Sequence, residues 1–186
     1  GIPQYNFLIR MDTQQNVMHY PQKPIVETKF HKVVGLDKKP AGQNFIVAIM
    51  PYYGYNQNDA IVMNRTSIER GLARTTYYRT YDTRELRYPG GQKDKFEIPK
   101  PEIMGYRGED AYKYLDEDGI IELETYVKEN DVLVGKTSPP RFLEEIKELG
   151  ILEEKRRENS LVVRGGEEGY VDTILATEGE GGDRLI

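Results

Sequence analysis

A polar loop between two apolar segments holds the residue types best suited to chemistry. Residues 54–60, GYNQNDA, follow the apolar run 45–50 and lead into the apolar run 60–63. The loop combines amide side chains with one carboxylate, Asp59, and oxygens of these kinds bind Mg²⁺ directly or through water. Asn and Asp also form good turns in any protein, so the residues alone leave a metal site and an ordinary turn both open.

Other familiar catalytic and metal-binding signatures are missing from the sequence. The chain has no cysteine, which excludes disulfides and thiolate metal sites, and its two histidines are His19 and His31. It contains neither the glycine-rich phosphate loop of nucleotide-binding proteins nor the nucleophile elbow of hydrolases. The GYRG segment at 105–108 lacks the flanking strand and helix of a binding loop and is interpreted as a turn.

Charge is distributed unevenly along the 186 residues. Residues 1–107 carry 16 Lys and Arg against 10 Asp and Glu, whereas residues 108–186 carry 10 against 21. This pattern allows the first part to lie near nucleic acid, whereas phosphate would repel the second part. Two solvated surfaces of ordinary composition explain the same pattern, and charge alone favours that simpler interpretation.

A strand and a short helix are predicted on either side of the polar loop. The run 45–50 is unbroken, apolar and rich in branched residues, which predicts a strand buried on both faces. Asn64 is predicted to cap a helix that continues through Ile68 and ends at Gly71. The loop would then lie between a buried strand and a helix, which is a suitable place for a polar site.

The composition changes after Arg74, and a domain boundary is predicted between residues 1–74 and 75–186. Turns are predicted at 89–92 and 116–119, a short helix at 109–115, strands at 75–81, 120–127, 161–163 and 171–176, and a hairpin turn at 180–183 leading into 184–186. Apolar residues at helical spacing predict a longer acidic helix from Arg141 to Glu158. These elements predict an α+β fold that is mostly β with short helices.

The sequence favours a cytoplasmic protein without membrane partners. No stretch approaches the roughly 20 apolar residues of a membrane span. The N-terminal residues GIPQY have no basic region leading into an apolar run, so they are not expected to form a signal peptide. The absence of cysteine fits a reducing compartment. The chain lacks an initial Met and stops within an apparent strand at 184–186, which predicts that it is a fragment.

Several longer motifs occur in a fixed order along the chain. The first are RMDT at 10–13, HYPQKP at 19–24, PAGQN at 40–44, GYNQNDAIVMN at 54–64 and SIERG at 67–71. The later ones are YPGGQ at 88–92, DKF at 94–96, YRG at 106–108 and GKTSPPRF at 135–142. Together they resemble the second-largest (B, or β-like) subunit of multisubunit RNA polymerases, and the later motifs resemble its archaeal form. Long motifs in register over the whole chain are far more specific than one short pattern.

The resemblance implies that the chain belongs to a nucleotidyltransferase complex that performs DNA-templated RNA synthesis. Such a complex joins an RNA 3′ hydroxyl to a nucleoside triphosphate and releases pyrophosphate by two-metal chemistry. Residues 1–74 would lie in the hybrid-binding region near the active centre, and residues 75–186 would form the wall, called the flap in bacteria. The implied partners are the other polymerase subunits, above all the largest, the DNA template and RNA–DNA hybrid, nucleoside triphosphates and a TFB-type initiation factor.

The resemblance also implies roles for individual residues. Where the family usually has Glu-Asp near the second, exchangeable Mg²⁺, this chain has Asn58 and Asp59. Asp59 is expected to act near that ion through water. Asn58 keeps an oxygen acceptor but lacks the charge, which argues against direct metal binding at that position. Arg10, Lys23 and Gln43 are weaker candidates for nucleic-acid contacts, with a structural hydrogen bond as the alternative for each. The principal Mg²⁺ would be held by three aspartates of the largest subunit.

Two considerations limit what the chain is expected to do alone. The family's Gly-Asp-Lys and Arg-His-Gly-Gln-Lys blocks, whose lysines face the RNA 3′ end, do not occur in this sequence. We therefore expect the isolated chain to be inactive, and a stand-alone polymerase is disfavoured. The alternative function is a non-catalytic docking module, in which the predicted Arg141–Glu158 helix binds initiation factors.

Overall fold

The computed structural model describes residues 3–140, 156–179 and 181–186. The chain folds as two compact units, Gly1–Thr80 (unit 1) and Tyr81–Ile186 (unit 2). Across the described residues the elements are mostly short strands, joined by a few short α-helices and 3-10 helices. This confirms the predicted α+β fold that is mostly β with short helices.

An antiparallel strand pair links the two ends of unit 1. Strand β1 (Gln14–Met18) pairs along its whole length with β2 (Thr75–Arg79). The backbone NH of His19 donates to the carbonyl of Arg74 at 2.9 Å, which extends the ladder beyond the two strands. The strand predicted at 75–81 is therefore confirmed, and its pairing with β1 places it in unit 1.

The helices of unit 1 are short. They are α1 (Lys29–Val33), α2 (Arg65–Glu69) and the 3-10 helices Phe7–Ile9 and Leu36–Lys38. The side-chain oxygen of Asn64 accepts a hydrogen bond from the backbone NH of Ser67 at 2.8 Å, which caps α2. The backbone NH of Gly71 donates to the carbonyl of Ile68 at 2.9 Å, and Gly71 has φ +101°. The predicted helix, its cap and the glycine that follows it are all confirmed.

The strand predicted at 45–50 is wrong. None of the described strands pairs with this run, and the side chains of Ile46 and Ile49 are fully exposed, at 105% and 98%. The second apolar run is exposed as well, with Ile61 at 81%. A buried strand needs neighbouring strands for its backbone and other side chains over both faces. The described part of unit 1 supplies neither.

Unit 2 is built from antiparallel strands of two or three residues. They are β3 (Lys95–Phe96), β4 (Tyr126–Val127), β5 (Val132–Val134), β6 (Lys136–Ser138), β7 (Arg157–Glu158), β8 (Leu161–Val162), β9 (Gly169–Tyr170), β10 (Thr177–Glu178) and β11 (Arg184–Leu185). The pairings are β3–β6–β7, β4–β9, β5–β8 and β10–β11. Apolar side chains of these strands and of the segments beside them form one core of Phe96, Ile121, Val127, Leu133, Val134 and Val163. Burial of this cluster drives the folding of unit 2.

Several local predictions in unit 2 are confirmed. The turn at 89–92 closes with a hydrogen bond from the Tyr88 NH to the Gln92 carbonyl, and the turn at 116–119 closes with one from Gly119 to Asp116. Strand β8 lies within the predicted strand 161–163, and β10 pairs with β11 across the predicted hairpin. The predicted helix at 109–115 is a shorter 3-10 helix, Glu109–Tyr112.

Three other predictions in unit 2 need correction. Only β4 forms within the predicted strand 120–127, and no strand forms at 171–176, which lies between β9 and β10. Residues 141–155 of the predicted Arg141–Glu158 helix lie outside the described residues, but its last two residues form strand β7 instead. Pairing of β7 with β6, which is distant in sequence, outweighs the local helical pattern there.

Unit 2 also buries an ion pair at the start of β6. Asp94 is fully buried and Lys136 is 8% exposed, with 3.8 Å between Lys136 Nζ and Asp94 Oδ2. Lys136 Nζ also donates to Thr83 Oγ1 at 3.0 Å, and the Leu86 NH donates to Asp94 Oδ2 at 3.2 Å. Buried charges persist when they are paired and hydrogen-bonded in this way.

Candidate functional site

The polar loop of unit 1 is closed by the side chain of Asn56. Its Nδ2 donates to the backbone carbonyl of Met50 at 2.7 Å, and its Oδ1 accepts from the backbone NH of Tyr52 at 2.9 Å. One amide group therefore joins the end of the apolar run 45–50 to the middle of the loop. Short polar side chains often organise turns through such bonds to the backbone.

The first half of the loop is a tight turn over Tyr52–Tyr53–Gly54–Tyr55. The Tyr55 NH donates to the Tyr52 carbonyl at 3.0 Å. The two central residues, Tyr53 and Gly54, have φ +49° and +75°. Positive φ at both central positions is the feature of a type I′ turn, and it is unfavourable for a bulky residue such as tyrosine.

The second half of the loop is a turn that carries Asp59. The Ala60 NH donates to the Gln57 carbonyl at 3.1 Å, and Asn58 has φ +52°. Positive φ at the first central position resembles a type II′ turn, and asparagine adopts it more readily than most residues with a side chain. The backbone conformation at position 58 is therefore sufficient reason for an asparagine there, and no metal-binding role is needed to account for it.

Asp59 is exposed and available to a ligand. No hydrogen bond or ion pair joins its carboxylate to another residue within the described ranges. In the same ranges, no three His, Cys, Asp or Glu side chains come together to hold a metal ion. A single solvated carboxylate can bind Mg²⁺ through its water shell. Asp59 can thus contribute to a Mg²⁺ site whose other ligands come from outside the described residues. It does not form a complete site by itself.

Gln43 uses both ends of its side chain inside unit 1. Its Nε2 donates to the carbonyls of His19 and Tyr20 at 2.9 and 3.1 Å, and its Oε1 accepts from the Ala73 NH at 2.8 Å. The side chain thereby joins three segments that are far apart in sequence. This is the structural hydrogen bonding that the sequence left open as the alternative to a nucleic-acid contact.

The two basic candidates differ in how free their charges are. Arg10 forms a bidentate ion pair with Asp12, in which Arg10 Nε lies 2.8 Å from Asp12 Oδ2. The hydrogen bond to Asp12 raises the pKa of Arg10. Lys23 is exposed, and its backbone carbonyl accepts a hydrogen bond from Asn44 Nδ2 at 2.8 Å. Lys23 therefore presents a freer positive charge than Arg10, whose partner offsets its attraction for phosphate.

The structure links some of these residues and not others. Asn44, next to Gln43, holds the backbone of Lys23, so these two candidates belong to one hydrogen-bonded region. Among the described residues, no hydrogen bond or ion pair connects Asp59 to Arg10, Lys23 or Gln43. Sequence reasoning missed Asn56, although an asparagine shortly after a predicted strand and beside a Tyr-Gly turn signals a loop closed by its side chain.

Comparison with known proteins identifies the family. A family model described as RNA polymerase Rpb2, domain 6, matches residues 1–186. The chain belongs to this family. It is 48% identical over 186 residues to DNA-directed RNA polymerase subunit Rpo2 of Sulfolobus acidocaldarius and 46% identical to Rpo2 of Saccharolobus shibatae. It is 38% identical over 187 residues to DNA-directed RNA polymerase II subunit RPB2 of Schizosaccharomyces pombe.

These similarities cover all of this Rpb2 domain 6 chain but a small part of each relative. The chain spans 16% of the two Rpo2 proteins and 15% of the RPB2 protein. The family predicted from the motifs is confirmed, as is its archaeal character, since identity to Rpo2 exceeds identity to RPB2. None of the helices in the described ranges is long and apolar enough to span a membrane.

Proposed function

We propose that this chain works as part of the second-largest subunit of a DNA-directed RNA polymerase. The match of the Rpb2 domain 6 model to all 186 residues carries the proposal. Identity of 46 to 48% to Rpo2 proteins along the whole chain supports it. The polymerase activity, its substrates and its partners are part of the proposal, because the chain spans 16% of those proteins.

The exposed apolar runs of unit 1 support a role inside a larger assembly. Ile46, Ile49 and Ile61 are at least 81% exposed and lie in two runs that flank the polar loop. Soluble proteins rarely leave a contiguous apolar surface uncovered, and such surfaces mark contacts with other protein. In the proposed subunit, residues outside this chain cover both runs and hold the loop between them.

Within the polymerase, Asp59 acts near the second Mg²⁺, which arrives with the nucleoside triphosphate. That ion would supply positive charge to the triphosphate during attack of the RNA 3′ hydroxyl on the α-phosphorus, with pyrophosphate as the leaving group. Asp59 would help to hold the ion through water, and the exposure of its carboxylate leaves it available for this. Asn58 serves the turn through its backbone. The principal Mg²⁺ belongs to three aspartates of the largest subunit.

The remaining residues place nucleic acid and partners around this centre. Residues 1–74 position the RNA–DNA hybrid on the DNA template, and Lys23 is the best of the three candidate contacts because its charge is free. Residues 75–186 form the wall, which directs the upstream end of the hybrid and meets a TFB-type initiation factor. The complex functions in the cytoplasm. The isolated chain has no polymerase activity.

The experiment that tests the proposal is Asp59→Ala in the assembled polymerase. We expect single-nucleotide addition to slow by about 10- to 100-fold, the usual effect of losing a partner in the outer shell of a metal site. Glu27→Ala, which removes another exposed carboxylate of unit 1, should leave the rate unchanged. If Asp59→Ala adds nucleotides like the wild type, while changes within residues 141–158 impair factor-dependent initiation alone, the chain is a docking module.

A further inference from the structure

We infer that Asn56 is a positioning residue for Asp59, an inference that rests on the proposed function of Asp59. Asn56 is assigned no contact with substrate or metal and acts through Asp59. Its amide group bonds to backbone groups of Met50 and Tyr52, at 2.7 and 2.9 Å, and so fixes the loop that presents the carboxylate.

The backbone of the loop needs such a fixed point. Tyr53 and Asn58 both have positive φ, at +49° and +52°. L residues adopt this conformation at a cost, and they keep it where surrounding contacts hold it in place. Asn56 lies between the two, and its pair of hydrogen bonds links the type I′ turn to the end of the preceding run. Loss of these hydrogen bonds allows Tyr53 and Asn58 to leave the positive-φ conformation.

Packing inside unit 1 does not replace these bonds. The runs before and after the loop are exposed, with Ile49 at 98% and Ile61 at 81%. The side chain of Gln57 lies over Gly54, where an added Cβ would be 3.4 Å from Gln57 Nε2. This places the segment directly after Asn56 against the first turn. A shift at Asn56 is therefore passed through Gln57 to Asp59, three positions along the chain.

A positioning role differs from a purely structural one in a measurable way. If Asn56 acts through Asp59, its removal weakens the use of Mg²⁺ and has no further effect once Asp59 is absent. If Asn56 merely stabilises the fold, its removal lowers the yield of assembled enzyme and leaves the Mg²⁺ requirement unchanged. Non-additivity between two residues that act as one unit is the expected signature.

The test is a double-mutant cycle in the assembled polymerase with Asn56→Ala, Asp59→Ala and both together. The readout is the Mg²⁺ concentration that gives half the maximal rate of single-nucleotide addition. We expect Asn56→Ala to raise this concentration about 3- to 10-fold, less than the roughly 10- to 100-fold effect of losing an outer-shell partner itself, because Asn56 acts through Asp59. The double variant should match Asp59→Ala alone.

Asn44→Ala is the matched control. Asn44 also donates from Nδ2 to a backbone carbonyl in unit 1, that of Lys23, at 2.8 Å. Its removal deletes the same kind of bond away from the Asp59 loop and should leave the Mg²⁺ midpoint unchanged. A shift as large as that of Asn56→Ala would overturn the inference, because it would show a general effect of loosening unit 1.

The remaining outcomes separate this inference from the proposed function. A shifted midpoint in Asp59→Ala with a normal midpoint in Asn56→Ala, or additive shifts in the double variant, refutes the positioning role and keeps Asp59. A normal midpoint in Asp59→Ala removes the metal role of Asp59 and the inference with it. If Asn56→Ala fails to assemble, Asn56→Ser takes its place, since its shorter side chain reaches at most one partner and should give a smaller shift of the same kind.

Discussion

Gln43 and Ala73 are 30 positions apart in the chain and are joined by a hydrogen bond of 2.8 Å from the Ala73 NH to Gln43 Oε1. Ala73 has φ +56°, an unfavourable conformation that surrounding contacts must hold. The other end of the Gln43 side chain donates to the carbonyls of His19 and Tyr20. This side chain therefore secures the end of unit 1 where β2 begins.

Gln43→Ala should destabilise unit 1 by about 2 kcal/mol, because three hydrogen bonds are lost and their backbone partners are left unpaired. Denaturant unfolding of the chain measures the change, and amide exchange at Ala73 should become faster. Gln4→Ala removes an exposed glutamine without a described partner and should have no effect. If Gln43→Ala weakens nucleic-acid binding by the polymerase while the stability of unit 1 is unchanged, Gln43 is a contact residue instead.

Lys136→Met should destabilise unit 2 by about 3 to 5 kcal/mol, the usual cost of leaving a buried charge without its partner. Asp94 is fully buried and would lose its charged partner, with an apolar side chain in that partner's place. Lys95→Met, on the neighbouring strand β3, changes an exposed lysine and should be nearly neutral. Thermal unfolding of both variants checks the prediction, and the double variant Lys136→Met, Asp94→Leu should recover most of the loss. Equal melting temperatures for the two lysine variants would contradict it.

Unit 2 should lose stability in alkali through Tyr112. Burial, above all, raises the pKa of the Tyr112 hydroxyl. Tyr112 is 4% exposed, and its ring stacks on that of Tyr106. The unfolded chain therefore loses this proton at about pH 10, and the folded chain loses it at a higher pH. The stabilising effect is complete below that pH and disappears as the pH rises through the folded pKa.

Melting temperatures of the wild type and Tyr112→Phe between about pH 8 and pH 11 test this. The variant should show a shallower decline above pH 10, because it has no phenol to ionise at that position. Part of the decline should persist, since burial also raises the pKa of Tyr88. Parallel curves for the two proteins would show that Tyr112 does not control the alkaline transition.

Ile46→Ser should have opposite effects in the isolated chain and in the complete subunit. In the isolated chain the side chain is fully exposed, so the change should cost no stability and should reduce self-association, as light scattering would show. In the complete subunit, where we propose that this run is covered, the change should cost about 2 kcal/mol and lower the yield of assembled enzyme. Ile121→Ser, at a buried core position, should destabilise even the isolated chain. Normal assembly with Ile46→Ser would argue that the run stays exposed.

The features that the sequence predicted correctly depend on residues that are close together along the chain. The cap at Asn64, the turn at 89–92 and the hairpin of β10 and β11 each rest on hydrogen bonds that span a few positions. Local steric and hydrogen-bonding preferences are sufficient to specify such elements. The family was also predictable from sequence, because long motifs in a fixed order do not need coordinates to be recognised.

The features that the sequence did not predict depend on partners that are distant in the chain or absent from it. The run 45–50 has the composition of a buried strand, but burial requires neighbours that the described part of unit 1 does not contain. Glu158 follows a helical pattern, but pairing with β6 makes it a strand. Gln43 has a polar side chain, and basic residues lie nearby in sequence, so it was a candidate for a nucleic-acid contact. In the folded chain, its side chain instead forms hydrogen bonds with three distant backbone groups.

The polar loop shows where this division lies. Residue types alone marked 54–60 as a turn able to carry a carboxylate, and the motif marked Asp59 within it. The folded chain added the bonds from Asn56 to Met50 and Tyr52 and the left-handed backbone at Asn58. The chemical groups that a loop offers can be predicted from a sequence, because each group belongs to a single side chain. The direction in which a side chain is held depends on backbone geometry and on contacts made after folding, which no single residue encodes.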